Sequence, residues 1–182
     1  MGAEKPSVAC SVIVPVYNSE HTVGEVIDRT AAACEQAGIT YEIVLINDGS
    51  KDASWEVLEK KAAENEHVVA IDLLKNYGQH TAVFAGLFQT NGDYVVTIDD
   101  DLQNPPEEIP KILDVAKEGY DLVFGQFQRK RHPLYRRLGT KVVDWMNRRV
   151  FGKPKDLVLT NFRCIRRDVL DNAPSWCKRA PC

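Results

Sequence analysis

The chain has 182 residues, of which 44% are apolar and 27% are charged, a composition typical of one globular domain with a buried core. No apolar run approaches the ~18 residues of a membrane span, and residues 1–8 form a polar N-terminal tail without the apolar region of a secretory signal. Five cysteines without a CxxC pair fit neither a disulfide framework nor a zinc site well, so we expect reduced thiols and a cytoplasmic location.

Charge is divided unevenly along the chain. The net formal charge is −3, but residues 1–120 carry 8 basic and 21 acidic side chains, whereas residues 121–182 carry 15 and 5. Residues 129–155 alone hold ten Lys or Arg and one acid. This asymmetry favours a polyanionic ligand or a membrane surface as the partner of the second part, although a solvated helix face would give the same pattern.

Apolar segments rich in β-branched residues alternate with segments of helical periodicity. In chain order we predict a strand at residues 10–17, a helix at 19–37, a strand at 41–46, a helix at 52–64, a strand at 68–73, a helix at 79–89, a strand at 93–98, a helix at 106–118 and a strand at 120–124. Because the strands are continuous apolar runs, they are predicted to be buried on both faces. The fold class is therefore α/β, with a mostly parallel sheet between helices.

Polar clusters lie where these strands end. Ligands of open α/β sheets bind beyond the carboxyl ends of the strands, which points to Tyr17-Asn18, to 48–50 (DGS), to 75–78 (KNYG) and to 99–101 (DDD). No GxGxxG follows the first strand, and neither GxxxxGK[ST] nor GxSxG occurs. These absences argue against a dinucleotide-binding domain, a P-loop NTPase and an α/β-hydrolase.

Three consecutive aspartates follow the fourth predicted strand. On an extended segment Asp99 and Asp101 would face one ligand while Asp100 faces away. Adjacent carboxylates favour a bound cation, and Mg²⁺ or Mn²⁺ is commonly held by one or two carboxylates together with a diphosphate. We therefore predict that Asp99 and Asp101 bind Mg²⁺ or Mn²⁺; an acidic turn that caps a helix is the structural alternative.

Two other strand-end loops contain residues that can bind the base, the ribose or the phosphates of a nucleotide. An ionised Asp48 can accept a hydrogen bond from a nucleobase or a ribose, and Gly49 permits close backbone approach, although a turn capped by Ser50 or Asp52 explains the same residues. Lys75 precedes a predicted helix start at Gly78, an arrangement that suits an anion.

Taken in order, four segments resemble the motifs of glycosyltransferase family 2: SVIVPVYN (11–18), INDGS (46–50) with Asp52, NYGQH (76–80) and IDDDLQNPPEE (98–108). The last two are most similar to the branch that uses undecaprenyl or dolichyl phosphate. The resemblance covers residues 9–172 and implies a GT-A fold built on a Rossmann-like sheet. It implies a glycosyltransferase domain over 9–173, with a nucleotide-binding part (9–125) and a basic acceptor and membrane-side part (126–173), followed by an irregular tail (174–182). Members of the branch usually continue further, so we expect the domain to be truncated at its C-terminus.

The family resemblance also implies an activity. This is an inverting, metal-dependent transfer of a sugar from a nucleotide-diphosphate sugar, with a UDP-sugar expected, to a polyprenyl phosphate. The implied setting is the cytoplasmic face of the membrane, where the domain is peripheral and rests on anionic lipid through residues 129–155. No nucleic-acid partner is expected, and the oligomeric state is not indicated.

The family's site residues carry over onto matching positions of this sequence. The implied nucleotide-binding residues are Pro15, Tyr17, Asn18, Asp48 and Asp99. We add the strand-end residues Gly49, Lys75 and Asp100 to the predicted nucleotide site because of their positions beside these residues. Catalytic roles fall to Asp101, Gln103 and Arg163, with Asp99 and Asp101 as metal ligands. Because arginine binds phosphate bidentately, Arg129, Arg131 and Arg163 are candidates for the acceptor phosphate.

Three positions depart from the family's pattern. Asp100 replaces a small residue between the two aspartates, Ser19 stands where Glu is commoner, and Asn161 stands where some relatives carry an acid. A lipid phosphate is already ionised and needs positioning more than a general base. Two alternatives stay open: transfer to a saccharide or protein hydroxyl, which would need a base, and a catalytically silent nucleotide-sugar-binding domain.

Overall fold

Six strands form one sheet in the part of the chain that a computed structural model describes, residues 8–125 and 160–172. The strands are β1 (Cys10–Val16), β2 (Tyr41–Asn47), β3 (Val68–Asp72), β4 (Tyr94–Thr97), β5 (Leu122–Phe124) and β6 (Arg163–Arg166). The helices are α1 (Val23–Gln36), α2 (Ser54–Glu64), α3 (Gln79–Leu87), α4 (Ile109–Lys117) and α5 (Arg167–Asp171), with a 3-10 turn at Pro106–Glu108.

The sheet is parallel except for one strand. Its order is β3-β2-β1-β4-β6-β5, and the pairs β1/β2, β1/β4 and β2/β3 are parallel. Strand β6 was not predicted; it pairs antiparallel with both β4 and β5 and so separates them. Because β1, β2 and β4 are parallel neighbours, their carboxyl ends meet at one edge of the sheet.

Side chains of the central strands alternate between two apolar layers. Val12 and Val14 of β1 belong to the apolar layer that packs against α1, α2 and α4. Ile13 belongs to the layer on the other face of the sheet, which packs against α3 and also contacts Leu170 of α5. Burial on both faces explains why these strands are continuous apolar runs. It also confirms the expectation of a mostly parallel sheet with helices on both faces.

Each predicted element is present, with small shifts at its ends. The largest shift is in the first helix, which begins at Val23 because residues 19–22 form a turn. Among the described cysteines, Cys10, Cys34 and Cys164 are free and buried, and burial raises the pKa of Cys34 and Cys164 to about 12. These thiols belong to the core, where the reactive thiolate form is disfavoured.

Several expectations concern residues 1–7, 126–159 and 173–182, which lie outside the described residues. They include the N-terminal tail, the basic stretch 129–155 with Arg129 and Arg131, and the irregular tail. The division into parts 9–125 and 126–173 stays a prediction. None of the described helices is long and apolar enough to cross a membrane.

Candidate active site

A cleft of about 340 Å³ opens at the carboxyl ends of β1, β2 and β4. It also takes residues from the loop that leads into α3 and from the segment before β6. The lining residues are Pro15, Val16, Tyr17, Asp48, Asn76, Gly78, Gln79, Asp99, Asp100, Asp101 and Asn161. This is the edge of the sheet at which the strand-end rule places a ligand.

Asp99 is held by three side-chain amides. Its Oδ1 accepts hydrogen bonds from Nε2 of Gln79 at 2.5 Å and Nδ2 of Asn161 at 3.2 Å, and its Oδ2 accepts one from Nδ2 of Asn104 at 3.3 Å. Burial, followed by the charge of Asp101, raises the pKa of the Asp99 carboxyl, while the amide donors act in the opposite direction. Asp99 thus joins α3, the end of β4 and the start of β6, and most of its acceptor capacity is used by the protein.

Asp100 is directed towards the loop after β1. Its Oδ2 accepts a hydrogen bond from the backbone N–H of Tyr17 at 3.1 Å and another from the hydroxyl of Ser19. Its backbone carbonyl accepts a hydrogen bond from the hydroxyl of Thr22 at 2.7 Å. The chain turns at residues 100–101 instead of continuing extended, so the carboxylates of the triplet are directed to different partners.

Asp101 is the exposed member of the triplet. Its Oδ1 accepts the backbone N–H of Gln103 at 3.0 Å, and among the described residues no donor reaches its Oδ2. Leu102, which lies between Asp101 and Gln103, has a φ of +59°, a left-handed conformation that is uncommon for a leucine and costs roughly 1–2 kcal/mol. Asp101 therefore retains most of its capacity to bind a cation.

Asp48 ties two loops together. The residue is 2% exposed; its Oδ1 accepts the backbone N–H of Tyr77 at 2.7 Å and its Oδ2 that of Gly78 at 2.8 Å. The next residue, Gly49, has a φ of +66°, and a Cβ there would lie 2.5 Å from the backbone nitrogen of Asn76. The loop after β2 and the loop after β3 are in direct backbone contact here, and a side chain would separate them.

The loop after β1 is also bound to the start of α2. Asn18 donates its N–H to Oγ of Ser50 at 3.0 Å, and its Oδ1 accepts the N–H of Lys51 at 2.8 Å. The N–H of Glu20 donates to Oδ2 of Asp52 at 3.1 Å, and Oε2 of Glu20 accepts the N–H of Ala53 at 2.8 Å. Oδ1 of Asp52 also accepts the N–H of Ser54, the first residue of α2, whose N-cap position is occupied by Ala53.

The structure brings six of the predicted site residues to the cleft: Pro15, Tyr17, Asp48, Asp99, Asp100 and Asp101. Five others do not line it: Asn18, Gly49, Lys75, Gln103 and Arg163. Lys75 instead has its Nζ 5.2 Å from the centroid of the Tyr77 ring.

Arg163 lies in β6 opposite Thr97 and Phe124, beside the end of β4. Its Nε is buried and has no acceptor among the described residues.

Sequence reasoning missed the amide side chains of the cleft. Gln79 and Asn76 belong to the NYGQH segment, so their position after a predicted strand was a usable signal. Asn161 was considered only as the position of an absent acid, and nothing local indicates that its amide meets Asp99.

The family model described as Glycosyl transferase family 2 matches residues 11–172. The chain belongs to that family. This family 2 chain is 44% identical over 158 residues to undecaprenyl-phosphate 4-deoxy-4-formamido-L-arabinose transferase of Pectobacterium carotovorum, covering 86% of this chain and 47% of that protein. It is 40% identical over 172 residues to the transferase of the same name from Yersinia pestis, covering 94% and 53%. The chain spans about half the length of these curated relatives.

Solved structures support the fold. Glucosyl-3-phosphoglycerate synthase from Mycobacterium tuberculosis, in complex with Mn²⁺ and UDP-glucose, superposes with a TM-score of 0.72 at 20% identity, covering 92% of this chain and 59% of that one. The same enzyme with UDP gives a TM-score of 0.69 at 22% identity, covering 90% and 58%. At such identities the likeness shows the fold alone, and the predicted GT-A type of sheet is confirmed.

Proposed function

We propose that this family 2 domain transfers a sugar from a UDP-sugar to undecaprenyl phosphate or a closely related polyprenyl phosphate, with inversion at the anomeric carbon. Relatives that are 40–44% identical are named as undecaprenyl-phosphate transferases. The observation that carries the proposal is the exposed carboxylate of Asp101 in a strand-end cleft whose other carboxylates are occupied by protein donors. The fold of a UDP- and Mn²⁺-binding enzyme supports UDP as the nucleotide.

The donor set suits Mg²⁺ or Mn²⁺ bound jointly with a diphosphate. Within the described ranges no group of three or more His, Cys, Asp or Glu side chains is arranged to hold a metal, so the protein would supply few ligands. Hard divalent cations commonly take one or two carboxylates and fill their remaining positions with phosphate oxygens and water. Asp101 would be the main ligand, and Asp99 would contribute less because its oxygens accept three amides. A cation held there would supply positive charge next to the diphosphate leaving group.

The chain's own residues divide the cleft between the parts of the donor. Pro15, Tyr17 and Asp48 form the side nearest β1 and β2, to which we assign the nucleoside. Gly78 and Gln79 present the N-terminal end of α3, whose partial positive charge suits the diphosphate. Lys75 in the adjoining loop adds a positive charge near that end.

A phosphate acceptor agrees with the absence of an acid at position 161. The amide of Asn161 is not basic and donates its hydrogen bond to Asp99. An ionised phosphate oxygen can attack the anomeric carbon without losing a proton, while the bond from that carbon to the diphosphate breaks. We assign the acceptor phosphate to Arg163, which lies beside the end of β4, together with Arg129 and Arg131 of the basic stretch. Gln103 remains a proposed catalytic residue that acts beside Asp101.

The basic second part favours a position at the membrane. With 15 basic and 5 acidic side chains in residues 121–182, attraction to an anionic leaflet is about 1 kcal/mol for each cation near the surface. We therefore propose that the domain is peripheral to the cytoplasmic face, where a lipid phosphate is presented.

Calorimetric titration of UDP, GDP and dTDP, with Mn²⁺ and then with EDTA, tests the donor site. UDP should bind under both conditions, and Mn²⁺ should make its binding tighter than in EDTA. Asp101→Asn should weaken the Mn²⁺-dependent binding about tenfold or more, since a charge-assisted contact is worth about 1.5–3 kcal/mol and 1.4 kcal/mol is tenfold. Asp114→Asn is the matched control, because Asp114 is an exposed aspartate on α4 outside the cleft.

Product analysis with undecaprenyl phosphate or an oligosaccharide as acceptor tests the second substrate. Sugar on the lipid phosphate is the expected result. Sugar on a hydroxyl acceptor alone would contradict the assignment, and UDP-sugar binding without any transfer would favour the silent binding domain. Failure of all three nucleotides to bind would overturn the donor site itself.

A further inference from the structure

Asp100 connects two loops that border the cleft from neighbouring strands. One loop follows β1 and the other follows β4. Asp100, in the loop after β4, accepts hydrogen bonds from the N–H of Tyr17 and the hydroxyl of Ser19 in the loop after β1. A third bond runs from the hydroxyl of Thr22 to the carbonyl of Asp100. The triplet thus contains one residue whose side chain is engaged with the first loop.

Resting on the proposed function, we infer that Asp100 is a positioning residue that holds Tyr17 in place for the nucleotide and does so without the metal. The side chain of Tyr17 lines the cleft but is 44% exposed, so packing alone does not fix it. The hydrogen bond from its backbone N–H to Asp100 fixes the backbone of Tyr17, and therefore the position from which its side chain extends into the cleft. Because Tyr17 is already ordered before the nucleotide binds, less conformational entropy is lost on binding.

Ser19 makes this connection continuous across the site. Its hydroxyl donates to Asp100, and its backbone N–H donates to Oγ of Ser54 in α2 at 2.8 Å. The first loop is therefore fastened to β4 on one side and to α2 on the other, through one residue. Ser19 and Asp100 are two of the positions that depart from the family's pattern, and they contact each other.

The position of this carboxylate has an electrostatic cost. Asp100 adds a third negative charge beside Asp99 and Asp101, in the cleft that is proposed to receive a diphosphate. A residue that contributed nothing but charge would weaken binding, so its removal would strengthen binding. A residue that positions Tyr17 gives the opposite result, and the two substitutions Asp100→Ala and Asp100→Asn separate these effects.

The experiment is a UDP titration of both variants, with Mn²⁺ and with EDTA. Asp100→Ala should weaken binding about three- to tenfold under both conditions, as expected for one or two side chains that must be ordered on binding. Asp100→Asn keeps an acceptor oxygen and loses the charge, so it should bind UDP at least as tightly as the wild type. Adding Ser19→Ala to Asp100→Ala should cause little further loss, because the two residues share one interaction.

Hydrogen exchange of the Tyr17 amide, measured without nucleotide, makes the inference independent of the proposed function. Asp100→Ala should lose protection at Tyr17, whereas Asp100→Asn and the control Asp114→Asn should retain it. If the wild type binds no nucleotide, the proposed function fails, and this exchange still decides whether Asp100 fastens the loop.

Three results would overturn the positioning role. A loss confined to Mn²⁺, as expected for Asp101→Asn, would make Asp100 a metal ligand. Tighter binding by Asp100→Ala would make it a charge without a positioning effect. Unchanged exchange at Tyr17 in Asp100→Ala would show that the hydrogen bonds do not hold the loop.

Discussion

Gly49 offers the sharpest test of how the cleft is built, because the chain contains a matched control. Gly38 and Gly49 have φ values of +65° and +66°, so an alanine meets the same backbone strain at both positions. Their surroundings differ. A Cβ at position 38 has no heavy atom within 4 Å, whereas at position 49 it lies 2.5 Å from the nitrogen of Asn76 and 2.6 Å from the carbonyl carbon of Lys75.

The two substitutions therefore have different expected costs. Left-handed backbone costs an alanine roughly 1–2 kcal/mol, which is the whole expectation for Gly38→Ala. Gly49→Ala must also move one loop by about 1 Å to restore normal contact distances, and overpacking of this kind costs typically 1–3 kcal/mol. We expect a total loss of about 2–5 kcal/mol in the free energy of unfolding for Gly49→Ala, from these two terms together.

Urea denaturation of both variants measures the difference, and UDP titration measures its consequence. Moving the loop that carries Asn76 shifts Tyr77 and Gly78 away from Asp48, so Gly49→Ala should also bind UDP more weakly. Gly38 precedes β2, at the opposite edge of the sheet, and its variant should bind UDP normally. Equal destabilisation by the two substitutions would refute the reasoning, since it would show that the two loops can move apart without a loss of free energy of unfolding.

Two further predictions concern titratable groups that are partly or fully buried. Because the pKa of Asp99 is raised, its ionised form is disfavoured in the folded state, and the wild type loses stability as pH rises from about 4 through that pKa. Asp99→Asn does not titrate, so its urea stability relative to the wild type should rise from pH 4 to pH 7. Asp114→Asn is the control, and a stability difference that does not change with pH would contradict the prediction. Cys34 and Cys164 should resist a disulfide reagent at pH 8 in the native protein and react in urea, as mass spectrometry of peptides would show. Labelling of either thiol without urea would mean that the core opens locally.

The parallel part of the sheet was predictable because its signals are local. Each strand from β1 to β4 is an apolar run of length typical for a buried strand, and each is followed by helical periodicity. Strand β6 has no such signal. Residues 163–166 read RCIR, four residues with arginine at both ends, and their partners lie far away in the chain. Its pairing is decided by tertiary contacts.

The candidate site divides in the same way. The strand-end rule located the acidic and aromatic residues of the cleft, since it needs only the ends of predicted strands. It did not reveal where the three carboxylates point, because the left-handed Leu102 accompanies a turn that an extended segment would not have. Nor did it reveal the amides on Asp99, since Gln79, Asn104 and Asn161 come from three separate segments.

The insertion of β6 between β4 and β5 sets an order in which the molecule can assemble. Strands β3, β2, β1 and β4 can pair as soon as residue 97 has been made, but β5 joins the sheet, among the described residues, through β6, which follows about forty residues later. Closing that long segment carries an entropic cost and makes the pairing a late event in folding. Because the same event brings Asn161 to Asp99 and Arg163 to the end of β4, we expect the nucleotide side of the cleft to form first. During synthesis, the nucleotide side of the cleft would then be in place before Asn161 and Arg163 join it.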